Sequence, residues 1–173
     1  TIVDDVAFTG AKLAIAKESN HRLLYVTPEL SEPLHISGYP KITIKLACSK
    51  PAANLTVWLV SLPWTEAPED KITDNLITRG WADPQNHSSI TKSEPLEPGK
   101  FYDLSFKLQP DDQIIAAGEK IGLMIFSSDP EFTLLPEAGT ELTIDLDATS
   151  IELPVVGGLK AYQTATSTKS FNR

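Results

Sequence analysis

The 173-residue sequence holds one cysteine, one methionine and three histidines. A lone Cys48 forms no intrachain disulfide, and one Cys with three His builds no zinc framework. Cys48 ends a strand-like run with Ile42 and Lys45, so it reads as a buried small hydrophobe. The lack of disulfides is neutral on compartment at this chain length. No apolar run approaches the roughly 18–20 residues that a membrane helix needs. The chain begins at Thr1 rather than Met, as expected of a processed or excised piece, so a signal peptide upstream would leave no trace. Positive charge is also scarce. Fifteen Lys and Arg stand against 23 Asp and Glu, for a net charge of −8, and they form no cluster. Nucleic-acid binding depends on a concentrated cationic face, so that class is excluded, and an anionic membrane surface is disfavoured for the same reason.

Catalytic sets are missing as well. There is no Gly-x-Ser-x-Gly elbow. The last histidine, His87, precedes most of the acidic residues, against the Ser, Asp, His order of α/β-hydrolases. His21, His35 and His87 lie in no recognisable motif and read as surface or hydrogen-bonded structural residues. Carboxylates pair at Asp4 and Asp5, Glu69 and Asp70, Asp111 and Asp112, and Asp145 and Asp147. Neighbours on a strand point to opposite faces, so Asp111 and Asp112 do not converge as a glycosidase pair would. Asp145 and Asp147 share a face, the polar one. Asp111, Asp112, Glu119, Asp129 and Glu131 could offer oxygen to calcium, but without EF-hand spacing they read as solvated loop charges. No phosphate-binding glycine loop is present. No metal or cofactor is expected. Two Asn-x-Ser/Thr matches, at Asn54 and Asn86, are expected by chance.

The pattern that remains has a period of two. Ile42, Ile44 and Leu46 alternate with Thr43, Lys45 and Ala47. Tyr102, Leu104, Phe106 and Leu108 do the same, as do Leu142, Ile144 and Leu146. Each run predicts a strand with one dry face. Leu55–Leu62 and Ile121–Phe126 are apolar on both faces and predict central strands of a two-sheet sandwich. Further strands are expected at Arg22–Thr27, Leu34–Gly38, Ile72–Trp81 and Ser150–Leu153. Thirteen prolines and nine glycines punctuate the gaps. Helix is expected only over Ala11–Glu18 and, for one turn, Pro110–Ala117. The fold class expected is therefore all-β, a jelly-roll β-sandwich of the galactose-binding-domain-like kind with little helix. One domain, 1–158, is followed by a Ser/Thr/Ala-rich, loosely ordered C-terminal tail, 159–173.

Taken in order, several segments resemble the C-terminal domain of the Xaa-Pro dipeptidyl-peptidase and cocaine-esterase-like (CocE/NonD) serine hydrolases. The series starts at Val3–Asp5 and His21–Leu30 and continues through Leu34–Gly38 and Thr56–Ser61. Ile77–Trp81 follows, with Asn86 and His87 behind it. Pro98, Gly99, Tyr102, Ala117 and Gly118 come next, then Ile121–Asp129 and the closing Thr149–Gly158. The ending Leu153–Gly158 leans toward the dipeptidyl-peptidase branch. The resemblance implies that the catalytic Ser, Asp and His belong to a preceding α/β-hydrolase domain of the same bacterial polypeptide. This part would then be a non-catalytic accessory domain that packs on the hydrolase, helps shape the substrate entrance, and assists homo-oligomer contacts.

Trp64, Trp81, Asn86 and His87 are the residues expected at that domain interface. Trp64 and Trp81 are expected on loops, where aromatics either bind partners or cap the core. Trp58 alternates with Val60 and Leu62 and is expected in the core. The alternative from a different class is a free-standing carbohydrate-binding module, in which exposed aromatics form a stacking platform. A glycan titration followed by tryptophan fluorescence separates the two. No saturable change is expected, and saturable binding would count for the module.

Overall fold

The computed structural model describes residues 1–65 and 73–167. Its elements in chain order are β1 (Ile2–Val3), α1 (Gly10–Ile15), β2 (Arg22–Val26), β3 (Leu34–Gly38), β4 (Lys41–Cys48), β5 (Leu55–Leu62) and β6 (Leu76–Ala82). A 3-10 turn (Pro84–Asn86) follows, then β7 (Phe101–Lys107), β8 (Asp111–Ile115), β9 (Lys120–Phe126), β10 (Glu141–Glu152) and α2 (Gly158–Thr166). One sheet has the order β1-β10-β4-β7, the facing sheet β2-β9-β5-β6, and β3 pairs with β8. Every strand pairing is antiparallel. The chain is thus the all-β sandwich that its alternation predicts.

The alternation works as expected along β4 and β7. Ile42, Ile44 and Leu46 are wholly buried and meet Leu55, Val57, Leu59, Leu123 and Ile125 from the facing sheet. Tyr102, Leu104 and Leu108 join the same core. β5 and β9 are dry on their second face too, because α1 covers it. Trp58, Val60, Met124 and Phe126 form a separate cluster there with Leu13 and Ala14 of the helix. Trp58 is in the core as expected, though in this outer one.

Two devices hold α1 in place. Gly10 sits directly on the indole of Trp58, where an added Cβ would lie 2.2 Å from ring atoms. Arg22 of β2 is buried and donates from Nε to Leu13 O at 2.6 Å, and from its guanidinium to Ala16 O. These are carbonyls at the helix end that lack intrahelical partners. Burial lowers the Arg22 pKa below its ordinary value, yet guanidinium stays charged and suits the negative end of the helix. The helix stops at Ile15, short of the expected Glu18, with Ala16 in an extended conformation.

Four expectations need correction. The segment Pro110–Ala117 is not a helical turn: Asp111–Ile115 is β8, with Ile115 wholly buried opposite Leu34. Two adjacent β-branched residues, Ile114 and Ile115, favour the extended form, and β3 supplies the pairing. The runs at Leu142 and Ser150 are one strand, β10, with a register shift between Asp145 and Ser150. There the Asp145 carboxylate accepts from the amides of Asp147 and Ala148, and Leu146, expected on the dry face, is 56% exposed. Asp145 and Asp147 are therefore tied together by a local turn rather than side by side on a strand face. The strand expected from Ile72 begins at Leu76; Ile72 lies outside the described residues, as do Glu69 and Asp70.

The fourth correction concerns the C-terminus. Residues 159–166, expected at the start of a loosely ordered tail, belong to α2. Its Ala161, Tyr162 and Ala165 pack on the core, and the Ser31 amide donates to Ala165 O at 2.7 Å. Gly157 takes a positive φ of 86° to turn the chain into it. The buried face is mostly alanine, which carries little hydrophobic signal in the sequence. Residues 168–173 lie outside the described residues.

Gly10→Ala should destabilise the domain by about 1–3 kcal/mol, the usual cost of overpacking, in chemical denaturation. Cys48 is buried and its thiol is pushed up to about 12. It should resist thiol reagents in the native state and react only on unfolding; labelling at the native rate of a free thiol would contradict this packing.

Candidate functional site

The β5–β6 hairpin carries the side chains of interest on the outer face of its sheet. Successive residues point to opposite faces, and the register sets Trp58 opposite Arg79 and Thr56 opposite Trp81. Trp58, Arg79 and Trp81 therefore share the face that α1 partly covers. Gly80 between them points inward, where a Cβ would lie 2.8 Å from Leu108 Cδ2. The close approach of β7's exit to this strand demands glycine there.

Arg79 organises the surface. Its guanidinium carbon lies 3.9 Å from the Phe132 ring centre, 5.3 Å from Trp81 and 5.8 Å from Trp58. Cations favour aromatic faces at these distances. Trp81 meets Phe132 at 5.2 Å and donates its Nε1–H to Asp129 at 3.3 Å. Trp64 stacks on Trp58 with centroids 6.2 Å apart. Asn75, buried at the base of the hairpin, positions it. The Asn75 carbonyl accepts from Thr65 N at 2.9 Å, and its amide donates to Ser61 Oγ and Pro63 O.

The loop that brings Phe132 is pinned from two sides. Asp4 is buried and accepts from the Ser128 amide and hydroxyl, both at 2.9 Å. Asn54 donates to Ser128 Oγ at 3.1 Å and to Leu134 O. Beyond these anchors Phe132, Leu134 and Leu135 are exposed, at 49%, 89% and 58%. An apolar rim thus borders the aromatic cluster.

Two of the four expected interface residues are joined and two are apart. Trp64 and Trp81 are linked through Trp58 and Arg79. Trp81 is on a strand, not on a loop as expected: its backbone pairs with Thr56. Asn86 ends the 3-10 turn and donates to Ile90 O at 3.1 Å. His87 packs at a tilt against Tyr102 of β7, 4.4 Å between ring centres, so this turn leans on the other sheet. Arg79, Asn75 and Phe132 were missed. A period-two reading of Arg79 with Trp81 would have paired those two; Phe132 reaches them only through the fold.

The tryptophans form no open stacking platform for a sugar. Trp58 is buried, Trp64 lies on it and Trp81 is grouped with Arg79 and Phe132. Nor does a catalytic set assemble among the described residues. His21 Nδ1 is 2.9 Å from Val3 O and its ring stacks on Phe8. His35 Nε2 is 2.5 Å from Asp112, whose carboxyl this bond holds below its ordinary pKa. His87 packs against Tyr102, and the Cys48 thiol is buried. Among the described residues no three His, Cys, Asp or Glu gather as metal ligands, and no helix is long and apolar enough to cross a membrane.

Residues 2–171 match the family described as the X-Pro dipeptidyl-peptidase C-terminal non-catalytic domain. The chain is 62% identical over 158 residues to a "Putative Xaa-Pro dipeptidyl-peptidase" of Rhodopirellula baltica, covering 91% of this chain and 25% of that protein. It is 30% identical over 159 residues to the Xaa-Pro dipeptidyl-peptidase of Lactobacillus delbrueckii subsp. lactis, covering 76% of this chain and 20% of that protein. The chain thus spans a quarter or less of the length of these curated relatives. Its fold is similar to part of an α-amino acid ester hydrolase, with a TM-score of 0.62 at 19% identity over 79% of this chain and 26% of that one. A CocE/NonD family hydrolase from Staphylococcus aureus gives 0.60 at 13% identity, over 78% of this chain and 30% of that one. The chain belongs to the family of X-Pro dipeptidyl-peptidase C-terminal non-catalytic domains.

Proposed function

We propose that this domain packs on an α/β-hydrolase domain of the same polypeptide through the outer face of the β5–β6 hairpin, and there borders the entrance to the hydrolase site. The observation that carries the reading is the cluster of Arg79, Trp81 and Phe132 with its exposed rim at Leu134 and Leu135. Aromatic and arginine side chains that are half-ordered before contact lose little entropy on docking. A contiguous apolar patch of this kind marks an interaction surface. Asn86 and His87, on the turn that leans on β7, extend the contact toward the other sheet.

In this reading the neighbouring domain does the chemistry. An activated serine forms an acyl-enzyme and an oxyanion hole stabilises the developing charge. The released product is an N-terminal Xaa-Pro dipeptide, by analogy with the names of the relatives. The contribution of the present domain is rigidity and the shape of the approach, with assistance to homo-oligomer contacts.

Phe132→Asp tests the surface. In the 173-residue chain it should cost about 1–2 kcal/mol, the loss of the ring contacts with Arg79 and Trp81, and leave the domain folded. In the full-length polypeptide it should split one calorimetric transition into two and lower kcat/KM on an Ala-Pro chromogenic substrate. An unchanged transition and unchanged kcat/KM would remove this face from the interface. The chain alone should hydrolyse neither Ala-Pro dipeptides nor short acyl esters; turnover abolished by a serine-directed inhibitor would overturn that.

A further inference from the structure

The sheet that contains β4 is incomplete on one side. β1 has only two residues, and they pair with Leu142 and Glu141 at the start of β10. Among the described residues, the rest of that edge of β10 has no strand beside it. Beneath the vacancy lies an apolar groove of about 620 Å³. Its walls include Tyr25 on β2, Leu59 and Leu123 on the inner face of the opposite sheet, Ile151 at the end of β10, Leu153 just beyond it, and Tyr162 of α2. Tyr25 and Val26 are 39% and 45% exposed there, beside core residues that a sandwich normally seals.

We infer that the polypeptide immediately preceding Thr1 continues β1 along the free edge of β10 and fills this groove with every second side chain. The register dictates the path. Ile2 is opposite Leu142 and Val3 is opposite Glu141, so earlier residues run antiparallel toward Ile151. The ladder already continues at Thr1, whose hydroxyl is 2.9 Å from that of Thr143. Asp4 N donates to Thr140 O at 2.8 Å, which makes Ile2 with Leu142 a hydrogen-bonded pair and aims the Ile144 amide at the vacant side. Val3 N donates to Asn20 O, which seats β1 over the approach to β2. Because β10 bulges between Asp145 and Ser150, an extension of about five residues, roughly 17 Å, would reach the level of Ile151 and the groove.

The occupant is a segment of the same polypeptide for two reasons. The family is a C-terminal domain, and the relatives are four or more times as long as the matched part. The inference rests on that reading of the chain as part of a longer hydrolase. It also fixes chemistry. Ile2 points inward and is 1% exposed, so the residue before Thr1, which falls opposite the buried Ile144, should be apolar. An exposed edge strand is a pairing hazard, and an added strand removes it.

Hydrogen exchange of the Ile144 amide, measured in the full-length polypeptide and in the 173-residue chain, tests the idea. Exchange should be at least about tenfold slower in the longer protein. Proline in place of the residue immediately before Thr1 should restore fast exchange, because it breaks the ladder. Equal exchange in the two proteins would overturn the inference. So would protection that survives the proline, since residues 168–173 or another part of the polypeptide would then cover the edge. Hydrolysis of an Ala-Pro substrate is read separately in the same samples. Active enzyme with an unprotected Ile144 sinks the strand alone, and a protected Ile144 in a protein without that activity sinks the functional reading alone.

Discussion

The packing of Trp58 beneath α1 is the constraint on which the rest of the structure depends. β5 is one of the two inner strands of its sheet, buried on one face by the opposite sheet and on the other by a helix of only six residues. So short a helix is not stable by itself. It persists because Gly10 lets its backbone close on the indole and Arg22 binds its terminal carbonyls. That contact also decides what remains outside: α1 covers Trp58, while the neighbouring Arg79 and Trp81 stay partly accessible. The candidate docking surface is the portion of the outer face that the helix leaves uncovered.

Polar residues at the loops do a different job. Asp4, Asn75 and Asp129 are buried, and they accept from the Ser128 amide and hydroxyl, the Thr65 amide and the Trp81 indole N–H respectively. Buried polar groups cost free energy unless paired, so these loops have few alternatives to the conformations seen. Strand β6 and the loops on either side of the sheet then hold Trp81, Trp64 and Phe132 in fixed relation. A surface ordered before contact suits an accessory domain whose role is to brace a neighbour. On the open side of the sandwich, between β2 and β10, an apolar groove is walled by the buried Leu59 and Leu123 and by the partly exposed Tyr25 and Val26.

Much of the fold was legible in the sequence. Ile42, Ile44 and Leu46 announce a half-buried strand through spacing alone, and the doubly apolar Leu55–Leu62 announces a central one. Failures came where local signal and tertiary context part. Ile114 and Ile115 sit among turn formers, so β8 was hidden until β3 offered a partner. Leu146 keeps the right parity, but the Asp145 turn shifts the strand. Ala161 and Ala165 are too small to advertise a buried helix face. At the candidate site, Trp64 and Trp81 stood out as large aromatics next to turn formers, Pro63 and Gly80, where strands were expected to end. Arg79 did not, since one arginine on a strand has no distinctive spacing.

The sequence by itself determined the class of fold and the absence of a recognisable catalytic motif, because side-chain alternation and residue spacing are local properties. Tertiary structure alone decided which aromatics act together. Cross-strand register sets Arg79 beside Trp58 and Trp81, a loop anchored by Asp4 and Asn54 delivers Phe132, and two-residue β1 leaves the rest of β10's edge without a strand among the described residues. These are contacts between residues distant in the chain, and strand pairing and loop closure, not periodicity, bring them together.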